Sequence, residues 1–320
     1  MKILLIIPVF HQHHVPPTGA FVTSREVARG LVAAGHTVGV ITTIRGPGGV
    51  RTDAAGVQVW PVEQWRQAYR ALRPDLLISH HGDRRAAQIT ALASAAPHLI
   101  MVHGMSENRD LGRTTAAWFP SEACRAHYPD YIGQFVVLPP PIDPDHYRTQ
   151  PGECITLNGS TPAKGGPIAA ALAARLPHEQ FLVVRASGHQ VGPLPANVEV
   201  VDRTDPRQIY TRTRLLLMPS TVESYGRVGV EAMISGIPVI ASELPGIREA
   251  LGTAALYVAP DDVDGWEQAV RALAVPEAYR AASGRALEHA RGVDLAGTLA
   301  AFEEMCCRTA ASPRTRAGDR

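Results

Sequence analysis

Cysteine is scarce in this chain. Its 320 residues include four, Cys124, Cys154, Cys306 and Cys307, and none forms a CxxC pair or takes a zinc-site spacing. The neighbours Cys306 and Cys307 are read as reduced thiols. An excess of either charge is missing as well. Lys+Arg number 31 against 30 Asp+Glu, a net charge of +1. That balance gives no nucleic-acid footprint and argues against a protein held on membranes mainly by charge. No stretch approaches the roughly 18 apolar residues of a membrane span, so no integral membrane segment is expected. The apolar run Ile3–Ile7 is too short for a signal-peptide core, and no small-residue cleavage site follows it. A cytoplasmic protein is the expectation. No strand-like run leads into GxGxxG, which sets aside a nicotinamide-dependent oxidoreductase. There is no internal repeat and no long low-complexity stretch.

What is present fits a soluble globular enzyme: 45% hydrophobic and 19% charged residues. The length suggests about two domains, because a single core stops growing near roughly 250–300 residues. Strand-length apolar runs alternate with helical patterns. In the first half the runs are Ile3–Ile7, Thr37–Thr42, Val57–Pro61, Leu76–Ser79, Leu99–Val102 and Phe135–Leu138. Helices are predicted over Thr23–Ala34, closed by Gly35, and around Val62–Leu72. In the second half strands are predicted at Cys154–Leu157, Phe181–Arg185, Val198–Val201, Leu215–Met218 and Pro238–Ala241. Helices are predicted at Ile168–Arg175, Gly229–Ile234, Trp266–Leu273 and Tyr279–Ala290. Continuous apolar strands mark parallel sheets covered on both faces. Two successive β-α series imply an α/β fold of two Rossmann-like, doubly wound domains.

The segment Leu138 to Tyr147 carries four prolines in ten residues, which excludes a central strand or a helix interior, and reads as an interdomain linker. The expected division is 1–145 and 146–294. A C-terminal helix at about 295–311 is expected to pack back on the first domain, and 312–320 is read as a disordered tail.

The strongest chemical signal is Pro219-Ser-Thr-Val-Glu223-Ser-Tyr-Gly226-Arg-Val-Gly229-Val-Glu231-Ala-Met. It follows a predicted strand and leads into a helix, so it belongs to the loop layer that lines a ligand crevice. Glu223 falls in the loop and Glu231 about two turns along the helix. A carboxylate accepts two hydrogen bonds and suits a ribose diol. Backbone amides near Tyr225–Arg227, at the helix start, suit hydroxyls or phosphate oxygens. A second signal is Leu157-Asn-Gly-Ser160-Thr-Pro-Ala-Lys164-Gly-Gly166, between the first strand and first helix of the second domain. A lysine beside two glycines suits a diphosphate.

The Glu223–Glu231 segment, with the following Ser235-Gly-Ile-Pro-Val-Ile-Ala-Ser242, resembles the E-x7-E motif of family 4 retaining glycosyltransferases. The resemblance implies a GT-B enzyme, with the two domains facing each other across a cleft. It also implies an acceptor-binding first domain and a nucleotide-sugar-binding second domain. Donor binding would fall to Gly19, Ser160, Lys164, Arg185, Glu223, Ser224, Tyr225, Gly226, Arg227 and Glu231. Of these, Glu231 would hold the ribose hydroxyls, and Glu223 would sit near the donor sugar or its phosphate. Ser160 stands where the family usually has an arginine, and Arg185 is the candidate to replace that charge. The loop Ser242-Glu-Leu-Pro-Gly246-Ile-Arg-Glu249 would help close the nucleotide pocket. Only one glycine, Gly19, is present in the turn after the first strand, where the family usually has a pair.

His103, in Met101-Val-His-Gly104, matches a family position near the reacting sugar. With Glu223 and Lys164 it makes the expected catalytic set. His14, His80 and His81 are assigned to the acceptor. His11, His13 and His14 form a cluster that could hold a metal, but the resemblance implies no catalytic metal and no cofactor beyond the nucleotide-sugar co-substrate. The implied reaction moves a hexose-type sugar from a UDP- or GDP-sugar to a hydroxyl of a small-molecule or glycan-precursor acceptor, with retention. A GT-B sugar-nucleotide epimerase, or a non-catalytic nucleotide-sugar-binding protein or partner subunit, stays open as the alternative.

Overall fold

A computed structural model describes residues 1–10, 18–44, 49–93 and 96–312. The chain divides into two compact units, Met1–Pro141 with Leu295–Arg320, and Ile142–Asp294. The first boundary falls inside the proline-rich segment. The helix Leu295–Ala310 belongs to the first unit, while the tail beyond Ser312 lies outside the described residues.

The first unit is a sheet of β1 (Lys2–Ile7), β2 (Thr37–Thr42), β3 (Arg51–Thr52), β4 (Gln58–Pro61), β5 (Leu76–His80), β6 (His98–Met101), β7 (Ala116–Phe119) and β8 (Gln134–Val137). Its spatial order is β3-β4-β2-β1-β5-β6-β7-β8, and every pairing is parallel except β3 with β4. The helices are α1 (Gly19–Ala33), α2 (Trp65–Leu72), α3 (Arg84–Leu92), α4 (Glu122–Ala126) and the C-terminal helix. Alternation along β1 shows why its run is apolar throughout. Ile3, Leu5 and Ile7 face Val27 and Leu31 of α1 with Phe302 and Met305 of the C-terminal helix, while Leu4 and Ile6 face Ala68 of α2 and Ile89 of α3. All five are fully buried, worth on the order of 10 kcal/mol of transfer free energy as an upper bound.

The second unit is all parallel: β9 (Cys154–Asn158), β10 (Phe181–Val184), β11 (Val198–Val201), β12 (Thr213–Met218), β13 (Val239–Ser242) and β14 (Leu256–Val258), in the order β11-β10-β9-β12-β13-β14. Its helices are α5 (Gly166–Arg175), α6 (Pro206–Tyr210), α7 (Arg227–Met233), α8 (Pro245–Leu251), α9 (Val263–Ala272) and α10 (Pro276–Ala290). Leu216 and Met218 pack on Val230 and Met233 of α7. Leu215 and Leu217 pack on Leu172 of α5 and Trp266 of α9.

Several elements differ from the sequence reading. The pattern over Val62–Leu72 splits into a short 3-10 turn, Val62–Gln64, and α2. The strands β3, β7 and β14 and the helices α3, α4, α6 and α8 had no predicted counterpart. β7 reads Ala-Ala-Trp-Phe, four residues with small side chains first, too short to carry a periodic signal.

Candidate functional site

In each sheet the connections run in opposite directions on either side of the first strand. That switch point lies between β9 and β12 in the second unit and between β1 and β5 in the first. The crevice outside the carboxyl ends of such strands is where open α/β sheets take ligands. Most of the sequence-assigned residues lie there, in the loops after β9 and β12 and after β1 and β5.

In the second unit three ties hold the loop after β9 against the loop after β12. The Thr221 backbone N–H donates to Ala163 O at 3.0 Å. Gly165 sits in the left-handed region at φ +86°, and a Cβ there would come within 2.2 Å of Pro219. Glycine is therefore required for both conformation and approach. Finally, Lys164 Nζ forms an ion pair with Glu223 Oε2, the ammonium being the more exposed partner. The expected phosphate-binding cation and the loop glutamate thus meet directly. Gly246 makes a similar close approach on the other side of the loop, where a Cβ would lie 2.6 Å from Ser224 O and 2.8 Å from Glu223 O. Helix α8 is thereby packed onto the motif loop.

Ser160 is buried, and its hydroxyl accepts from the Ala186 backbone N–H at 3.0 Å. It ties the loop after β9 to the end of β10. Arg185 turns to Asp202 instead, Nε to Oδ1 at 3.4 Å, in a half-exposed pair. A surface pair of this kind contributes little, so Arg185 is only weakly held by it. Ser224 is buried and Tyr225 packs on the core around α7; burial pushes the Tyr225 phenol up to about 12.

Gly226 caps α7, which is only seven residues long. Its macrodipole is correspondingly modest, so the charge at this end comes mainly from side chains. Those side chains form a buried chain. Arg227 Nε donates to Glu231 Oε1 at 2.7 Å, one turn on along α7. Tyr210, at the end of α6, donates to Glu231 Oε2 at 3.0 Å. Arg227 Nη2 donates to the Tyr147 hydroxyl at 3.0 Å. Glu231 and Arg227 are each 7% exposed. Arg203, just past β11, is a further guanidinium whose charge Glu231 stabilises against a lowering by burial. Glu231 is thus a held carboxylate rather than a mobile one. Sequence reasoning missed Tyr147, Tyr210 and Arg203; no motif marks them, and only the burial of a tyrosine in the proline-rich segment could have drawn attention.

In the first unit Gly19 is the exposed first residue of α1, behind a cap in which Thr18 Oγ1 accepts from Phe21 N–H at 3.3 Å. His80 ends β5, His81 follows it, and His103 lies two residues beyond β6. The His103 ring stacks on His80, centroids 4.5 Å apart, and meets Trp118 edge-on at 5.2 Å. His80 Nδ1 lies 2.6 Å from His81 O. His81 packs edge-on against Tyr128 at 5.4 Å. Burial lowers the pKa of both His80 and His81, which favours neutral imidazoles. The structure thus brings together the three histidines assigned to sugar and acceptor that it describes; His14, with His11 and His13, lies outside the described residues. Among the described residues, one group has metal-ligand spacing, His36, Glu303 and Cys307 in the first unit. His36 Nε2 lies 3.0 Å from Glu303 Oε1, so an ordinary hydrogen bond accounts for two of the three. No helix among the described residues is long and apolar enough to cross a membrane.

Comparison with known proteins bears on this arrangement. Residues 171–275 match the family described as Glycosyl transferases group 1. The O-antigen chain mannosyltransferase RfbU of Salmonella typhimurium is 41% identical over 63 residues, 20% of this chain and 18% of that protein. The 2-deoxystreptamine glucosyltransferase of Streptomyces kanamyceticus is 30% identical over 163 residues, 40% of this chain and 42% of that one. In both, the match spans less than half of the relative's own length. Among solved structures, sucrose-phosphate synthase from Thermosynechococcus elongatus superposes with a TM-score of 0.80 at 18% identity, over 98% of this chain and 100% of that chain. Anabaena HepE in complex with UDP and glucose gives 0.75 at 18% identity, over 95% and 99%. At these identities the structural likeness establishes the fold, which is GT-B.

Proposed function

We propose that this chain, which carries a group 1 glycosyltransferase domain, transfers a hexose-type sugar from a UDP- or GDP-sugar to a hydroxyl acceptor with retention of configuration. The observation that carries the reading is the meeting of Lys164 with Glu223 between the loops after β9 and β12, with Glu231 held by Tyr210 and Arg227 on the helix that follows. A cation beside a diphosphate neutralises the charge that develops on the leaving group, and a fixed carboxylate orients the ribose. In the retaining step the acceptor oxygen bonds to the anomeric carbon as the bond from that carbon to the phosphate oxygen breaks. The acceptor's proton passes to the leaving phosphate oxygen, so no enzyme nucleophile is needed. His103 is assigned a hydrogen bond to the transferring sugar, and His80 and His81 a place on the acceptor side. The names of the relatives support the donor class: Anabaena HepE is described with UDP and glucose, and RfbU as a mannosyltransferase acting on a glycan chain. The acceptor is accordingly proposed as a glycan precursor or a polyhydroxylated small molecule.

A second reading is favoured by Ser160. Its hydroxyl is committed to the Ala186 amide in the place of the expected arginine, which leaves fewer cations for a diphosphate. A chain that binds nucleotide sugars without transferring them fits that feature.

The test is a thermal-shift panel with UDP, GDP, ADP and dTDP and their glucose or mannose conjugates, followed by donor consumption measured as released nucleoside diphosphate. Lys164→Ala is the control, because its side chain is half-exposed and its loss perturbs packing little. Stabilisation by one nucleotide, weakened in the control and accompanied by turnover, supports the transferase. Stabilisation without turnover supports the binding protein. No stabilisation by any of them removes both.

A further inference from the structure

The hydrogen-bonded chain that ends on Glu231 extends beyond the motif itself. Its members come from three separate places: Tyr147 just after the start of the second unit, Arg227 and Glu231 on α7, and Tyr210 at the end of α6. Resting on the reading that Glu231 receives the ribose hydroxyls, we propose that Tyr210, Arg227 and Tyr147 are positioning residues that give this site its selectivity for a ribose over a deoxyribose.

The argument runs through the two oxygens of Glu231. An ionised carboxylate offers about four lone-pair positions, so it can be held and still accept from a ligand. Arg227 Nε holds Oε1 and the Tyr210 hydroxyl holds Oε2, from different elements. A free glutamate side chain loses rotamer freedom on ordering. Here that ordering precedes the ligand. A carboxylate fixed at both oxygens fits two neighbouring hydroxyls and forfeits a hydrogen bond to a charged group when one is missing, which is what discriminates between them.

Tyr147 makes the orientation of Arg227 specific. A guanidinium is a planar fork, so fixing a second nitrogen fixes its plane. The Tyr147 hydroxyl accepts from Nη2, and its ring lies 5.9 Å from the guanidinium carbon. Tyr147 is itself fastened at the other end of α7. Ser235 Oγ donates to Tyr147 O at 2.9 Å and accepts from Thr149 N–H at 2.9 Å. The same backbone segment therefore grips both ends of the helix that carries Glu231. Burial pushes both phenols up from their ordinary range, which favours Tyr210 as an O–H donor to Glu231.

The experiment is calorimetric titration of the full chain with UDP, GDP and their 2′-deoxy counterparts, in the native protein, Tyr210→Phe and Tyr147→Phe. The native chain is expected to prefer the ribonucleotide by about tenfold or more, as one hydrogen bond to a charged group implies. Tyr210→Phe should narrow that ratio about fivefold and Tyr147→Phe by less, since it acts through Arg227. Loss of a structural support alone would weaken ribo- and deoxynucleotide equally and leave the ratio unchanged. A native ratio in both variants overturns the proposal. Should either phenylalanine variant fail to fold, Arg227→Lys, which keeps the charge but loses the fork, takes its place with the same expectation and the same refuting result. If the native chain binds neither nucleotide, no ratio exists; the proposed function is then refuted and this inference with it, an outcome distinct from an unchanged ratio.

Discussion

Removing one partner of the Arg227–Glu231 pair should cost stability as well as binding, and the two losses can be separated. Both side chains are about nine-tenths buried, and the pair lies under the ring of Tyr147 and against Tyr210. Glu231→Ala leaves a guanidinium in the interior with one carboxylate fewer, a situation that typically costs about 3–5 kcal/mol. For a unit of this size each kcal/mol moves the melting temperature by about 2–4 °C, so a drop on the order of 10 °C is expected. The paired replacement Arg227→Met with Glu231→Leu removes both charges and keeps volume. It should recover most of the loss, short by about 1–2 kcal/mol for the two phenol hydroxyls left without their partners. Nucleotide binding should be absent in both variants. The assay is thermal and urea unfolding beside a nucleotide titration for the native chain, Glu231→Ala and the double variant. A stability loss below about 1 kcal/mol for Glu231→Ala would refute the reasoning, because it would mean that water solvates Arg227 freely. Recovery of nucleotide binding in the double variant would refute the role given to the carboxylate.

The remaining predictions concern pH and a close approach. His98, at the start of β6, is partly buried with Nε2 2.7 Å from Ser79 Oγ, and desolvation lowers its pKa to about 4. The folded value lies below the unfolded value of about 6.5, so the unfolded chain binds the extra proton and stability falls as pH drops from about 6.5 to 4, by up to about 3 kcal/mol. His98→Gln should flatten the melting temperature against pH across that window; an unchanged slope refutes the assignment. Gly165→Ala combines a Cβ 2.2 Å from Pro219 with a left-handed φ, and should destabilise by about 2–4 kcal/mol while weakening nucleotide binding through Lys164. Melting and titration of that variant at native values would show that the loop after β9 moves aside without cost.

What could be read from the sequence was what is local. The runs at β1, β9 and β12 are continuous because both faces of each strand are covered, and that pattern needs no knowledge of the partners. The Glu223–Glu231 spacing was legible because strand end, loop and helix follow one another in the chain. What was not legible is held across distance. Tyr210 reaches Glu231 from 21 residues away, and Tyr147 reaches Arg227 from 80. A proline-rich segment reads as a connection, yet Ile142 and Tyr147 within it are buried in the core around α7. Proline forbids helix and central strand there but says nothing about whether the neighbouring side chains are needed inside. The reading of Lys164 shows the same limit. A lysine beside two glycines suggested a diphosphate contact, and the family resemblance implied Arg185 in place of the arginine expected at the Ser160 position. Instead Lys164 is matched to Glu223, and Arg185 to Asp202. Lys164 and Arg185 each have a carboxylate partner, so a diphosphate bound as proposed would displace carboxylates rather than fill a vacant charge. That makes binding depend on how weak those pairs are. Both have a substantially exposed member, which keeps the cost of exchange to about 1 kcal/mol or less each, whereas the buried Arg227–Glu231 pair is too costly to open and serves to hold its carboxylate in place.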